Sequence, residues 1–129
     1  MSSHKPPDLP LVYSCSGCSN VAQGANQIAV RLDREGLAEM SCIAGVAAGV
    51  PSLVRIAQSG RPMLVIDGCP LACCRRALAI QGVEPTIYMD LSRQGLKKRP
   101  HEDLDSRQID TLWNDSVLPA IEELRDPKP

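Results

Sequence analysis

Six cysteines are the residues with the most chemistry to offer, and they fall in a pattern. Cys15-Ser-Gly-Cys18 follows one apolar run, and Cys42 closes the short, weakly alternating stretch from Leu37. Cys69 follows the run Met63 to Gly68, with Cys73 four residues on and Cys74 beside it. Thiolates are the soft ligands taken by zinc and by iron–sulfur clusters. Zinc wants four of them in a tetrahedron, with sulfur at about 2.3 Å. In a reducing compartment, cysteines in this number point to metal binding or redox chemistry rather than to disulfides.

The elements that must carry these thiols can be read in order. Leu9 to Tyr13 forms a first strand that runs into Cys15. Ser19 or Asn20 caps a helix in which Val21, Ala22, Ala25, Ile28, Ala29 and Leu32 recur at helical spacing, and Gly36 ends it. Leu37 to Cys42 reads as a second strand, again ending in a cysteine. Residues 43–50 are small and suit close packing, and Pro51-Ser52 opens a helix closed by Gly60. Met63 to Ile66 is a buried third strand that Asp67-Gly68 stops abruptly. Cys69 then stands where a helix should begin, with Pro70 at its first position, where a missing N–H costs nothing. That placement sets Cys69 and Cys73 one turn apart on one face, at the positive end of a helix, which favours thiolate. Gly82 ends this helix. Thr86 to Leu91 is a fourth strand. Arg93 to Pro100 is a basic loop, read as solvated surface. Ile109 to Leu124 carries an apolar stripe that Pro119 should kink or split.

Strands alternating with helices predict an α/β fold. The expectation is a single domain with a four-stranded, mainly parallel sheet in order 2-1-3-4 and helices on both faces. Residues 1–8 read as a flexible polar arm holding a stray His4, and residues 9–125 as the domain. Sites in such sheets lie beyond the carboxyl ends of the strands. Cys15, Cys42 and Cys69 each end a strand. With neighbouring strands about 4.8 Å apart, these three could converge on one ion, with Cys73 from the helix as a fourth ligand and Cys18 within reach. Cys74 points away and reads as a small buried hydrophobe.

The combined pattern of Cys15-Ser16-Gly17, Cys42, and Asp67-Gly68-Cys69 with Cys73 resembles the DGC-domain family over roughly residues 11–110. The resemblance implies a zinc-binding domain whose chelators match Cys15, Cys42, Cys69 and Cys73. Cys18 and Cys74 are extra to that pattern. Asp67 belongs to the motif, with loop amides rather than metal as its expected partners.

Rival chemistries are weaker. Cys69 to Arg75 has the Cys-x5-Arg spacing of cysteine phosphatases and arsenate reductases. Pro70, however, removes a donor from an anion-cradling loop, no glycine eases its curl, and Arg76 stands where Ser or Thr is usual. A thioredoxin-like Cys15–Cys18 pair would leave Cys42, Cys69 and Cys73 unexplained. Zinc is therefore the expected cofactor, with Cys15, Cys18, Cys42, Cys69 and Cys73 as candidate ligands and an iron–sulfur cluster as the alternative. A thiol redox protein is the alternative function. No histidine lies near the cysteines in sequence, so a binding, regulatory or metal-handling role is expected ahead of catalysis.

Composition bounds the rest. A net charge of −1 gives no reason to expect nucleic acid, and no Phe, one Trp and two Tyr leave no stacking platform for bases. No apolar run reaches the roughly 18 residues of a membrane span. The first residues lack the apolar core of a secretory signal, so a cytoplasmic location is expected. A protein partner is open, and the sequence names none.

Overall fold

The structure, a computed structural model, describes residues 9–125; the arm at 1–8 lies outside the described residues. Four strands form one sheet: β1 (Leu11–Ser14), β2 (Glu39–Met40), β3 (Met63–Asp67) and β4 (Ile87–Asp90). Their order is β2-β1-β3-β4 and every pairing is parallel, as expected. Leu64 registers with Val12 on one side and with Ile87 on the other.

β1 and β3 are buried along their whole length, which is why they read as unbroken apolar runs. Two cores result. Val12, Leu64, Ile66 and Met89 face α1 (Asn20–Arg34), α5 (Ser106–Leu112) and α6 (Leu118–Arg125). Leu11, Tyr13, Met63 and Val65 face the layer of α2 (Ile43–Ala47), α3 (Pro51–Ala57) and α4 (Cys73–Ile80).

β2 and the C-terminal helix differ from the sequence reading. β2 keeps only two paired residues of the six expected; the Ser41 N–H still reaches the Val12 carbonyl at 3.4 Å, and Cys42 then caps α2. The expected break at Pro119 is a π-turn over Trp113–Val117 between α5 and α6. There the Leu118 N–H reaches back to the Trp113 carbonyl, and the helix widens one step before a residue that has no N–H to give. Trp113 is buried in the core, with the Arg31 guanidinium 4.0 Å from its ring centre.

Candidate functional site

α4 does not begin where the sequence placed it. Cys69 to Ala72 forms a turn closed by the Ala72 N–H on the Cys69 carbonyl at 3.1 Å, and the helix starts at Cys73. The cause is Asp67. Its buried carboxylate accepts the Cys74 amide at 2.9 Å and the Arg75 amide at 3.1 Å, capping α4 from the end of β3 rather than from the residue before the helix. Ala72, in the position before the helix, is left at φ 55, a left-handed conformation that costs a non-glycine residue roughly 1 kcal/mol. Cys69 therefore sits on the turn and only Cys73 on the helix.

Gly68 explains the middle of the Asp-Gly-Cys run. A Cβ there would lie 2.6 Å from the Ala22 nitrogen and 2.7 Å from the Val21 carbonyl carbon, both backbone atoms of α1. Only glycine lets the turn after β3 meet the start of α1. The same residue donates its N–H to Cys15 Sγ at 3.1 Å, tying the first cysteine loop to the third.

Between these loops lies a cleft of about 460 Å³. Cys15, Cys18, Cys69, Cys73 and Cys74 line it, and its walls include Ala22, Ile43, Ala47, Leu71 and Ala77. Four expected ligands are thus brought to one cavity. Cys42 is not among its lining residues; its Sγ accepts the Gly45 amide at 3.3 Å and caps α2. Cys74 is buried, as expected. Cys18 and Cys73 are exposed, whereas Cys15 and Cys69 are half-buried. In the side-chain orientations of the structure, no three His, Cys, Asp or Glu side chains among the described residues group closely enough to hold an ion.

The thiols are unequal. Burial pushes Cys15 from an ordinary 9.0 up to about 11, and the Asp67 charge adds to this against the lowering effect of the Gly68 amide. Burial raises Cys74 as well, again with Asp67 adding to the effect. Both therefore rest as neutral thiols at pH 7 unless a cation draws the proton off.

Sequence reasoning missed four residues here. Asn20, buried at the start of α1, donates to the Lys97 carbonyl at 3.0 Å and accepts the Arg99 amide at 2.7 Å, while its own N–H meets the Arg99 carbonyl at 3.0 Å. This clamp holds the basic loop at the cleft, where Lys98 Nζ comes within 3.5 Å of Cys69 Sγ. The loop read as solvated surface is in part a wall of the site. Tyr88 is the third, its phenol donating to Asp67 at 3.0 Å, and Ala72 is the fourth. Partners 77 and 79 residues apart leave no local signal.

Known proteins resemble this chain over most of its length. A family model described as "DGC domain" matches residues 11–116. The Pseudomonas aeruginosa protein named "Anaerobic and virulence modulator AnvM" is 58% identical over 114 residues, covering 88% of this chain and 87% of that protein. No solved structure matches.

Proposed function

The chain belongs to the DGC-domain family, and from that premise we propose that its cleft is a thiol-rich metal site, with zinc as the metal. The observation that carries the reading is the convergence of Cys15 and Cys18 from the loop after β1 with Cys69 and Cys73 from the turn after β3 in one apolar cavity. These four would hold the ion, and Cys42 would join them only by giving up its cap on α2. Rotation of the exposed Cys18 and Cys73 side chains would bring donors inward, and a cation would remove the cost of ionising Cys15. Bound zinc supplies a cross-link between the two loops.

The role is binding or regulatory rather than catalytic. The lining includes no histidine, and its one carboxylate, Asp67, is committed to Cys74, Arg75 and Tyr88. A hydrolytic zinc site needs an open position and a base. The relative's name, a modulator, agrees with a regulatory role for this chain, and its free thiols suit a reducing, cytoplasmic setting. The exposed Cys18 beside the half-buried Cys15 favours thiol redox chemistry as the second reading.

Metal analysis with an absorption spectrum tests the proposal. About one zinc per chain and no visible absorption is the expected result, with the zinc lost in Cys69→Ala. Full retention of zinc in Cys69→Ala removes the assignment, and brown colour replaces zinc with a cluster.

A further inference from the structure

A second cavity of about 640 Å³ lies on the far side of Ala72 from the cysteines, along the outer edge of β4. We propose that it is a docking groove for an extended, acidic segment of a partner polypeptide, which adds to the sheet as a fifth strand. This does not rest on the metal reading.

The floor of the groove is β4 itself, from Ile87 to Asp90, the last strand of the sheet. An edge strand turns the N–H and C=O of every second residue outward, and natural edges are blunted by Lys, Pro or a covering element. β4 contains neither Lys nor Pro, and all four of its residues line the groove, Ile87 and Tyr88 half-buried, Met89 and Asp90 buried. Arg75 from α4 forms one wall; Ser116 and Glu123 from the C-terminal helices form the other. Such a recess offers an extended chain a strand edge to pair with.

Charge selects the occupant. The Arg75 guanidinium stacks over the Tyr88 ring at 4.6 Å and comes only within 3.8 Å of Glu84. Arg93, whose side chain is 84% exposed, stands 3.8 Å from an Asp90 carboxylate that accepts both the amide and the hydroxyl of Ser92. Neither guanidinium has a carboxylate at hydrogen-bond distance, the arrangement arginine makes best. Against these two cations the lining sets the engaged Asp90 and the exposed Glu123. Both arginines are thus held only in long ion pairs, and an extended strand with glutamates on one face offers them carboxylates at hydrogen-bond distance.

Fluorescence anisotropy with a labelled peptide of about ten residues, alternating glutamate with valine or threonine, tests this directly. Saturable binding is expected, weakened about tenfold by Arg93→Glu. Gln94→Trp, which fills the groove, should abolish it, as should N-methylation of the peptide backbone. Both substituted residues are exposed, and circular dichroism confirms that the variants fold. Equal binding of a lysine-for-glutamate peptide, indifference to N-methylation, or no saturable binding overturns the proposal. So does a dimer in sedimentation that Gln94→Trp dissociates, since that assigns the edge to a second copy.

Discussion

The Tyr88 phenol donates to the Asp67 carboxylate at 3.0 Å, and so joins the strand that floors the edge groove to the residue that caps the cysteine-bearing helix. One buried carboxylate serves three donors from two elements. Its removal should be felt on both sides of α4.

Asp67→Ala leaves the Cys74 and Arg75 amides and the Tyr88 hydroxyl without their acceptor. Loss of a buried charged acceptor of this kind costs about 3 kcal/mol, whereas Tyr88→Phe removes one bond and costs about 1. Urea unfolding of the metal-free variants measures both. Equal costs would mean that the α4 cap contributes nothing.

Gly68 and Ala72 flank the same turn and should respond in opposite directions. Gly68→Ala drives a methyl into the backbone of α1 and should destabilise by several kcal/mol, in the range of severe overpacking. Ala72→Gly relieves the left-handed strain at φ 55 and should stabilise by roughly 1 kcal/mol. Thermal melts of the two variants against wild type decide it. A destabilised Ala72→Gly would place the strain elsewhere.

The strand order and the edge that carries the cysteines were legible because both follow from local signals. Period, apolar runs and glycine stops locate the strands, and parallel topology then fixes which ends face the site. The start of α4 was not legible, since its cap lies on β3 and Ala72 carries no sequence mark of a left-handed residue. Cys42 was read as ending a strand, which places it at the right edge. Its role as an α2 cap depends on where β2 stops pairing, and in a two-residue strand no pattern shows that. The basic loop is exposed, as its composition suggested, but its tie to the cleft was not legible because its clamp, Asn20, acts across most of the chain.

Serine substitutions should separate the ligands proposed from the cleft from the one suggested by sequence alone. Cys42→Ser keeps an oxygen to cap α2 and should leave zinc content near that of wild type. Cys15→Ser, Cys69→Ser and Cys73→Ser should each release most of the metal, with apparent affinity lowered by a factor of about 10 to 100 or more. Competition with a chromogenic chelator reads the order. Zinc lost from Cys42→Ser as readily as from Cys73→Ser would return Cys42 to the ligand set.

Alkaline pH should destabilise the metal-free chain. Burial raises Cys15 from 9.0 to about 11 and lifts Cys74, Tyr13 and Tyr88 as well. The unfolded chain ionises these groups at their ordinary values. Between about pH 9 and 11 it therefore holds fewer protons than the native state, and stability falls as pH rises. Below pH 9 this contribution is fully present. Urea midpoints at steps from pH 8 to pH 11 should show the decline, shallower in Cys15→Ala. A midpoint that rises over that interval contradicts the burial of these groups.

Oxidation should close Cys15 onto Cys18. The two thiols flank Ser16-Gly17 and line the same cleft, one half-buried and one exposed. Exposure makes Cys18 the thiol that peroxide reaches first, forming a sulfenic acid. Attack by Cys15 then forms the disulfide: two thiols and one peroxide give one disulfide and two waters. A sulfur held in that bond is lost to ligation, so metal occupancy falls as the bond forms. Zinc-loaded protein under mild peroxide should release metal to a chelator, and mass spectrometry should recover a Cys15–Cys18 peptide pair. A phosphine reductant added afterwards should reopen the bond and restore zinc binding. Release without the Cys15–Cys18 bond, or zinc binding that reduction does not restore, would rule the switch out.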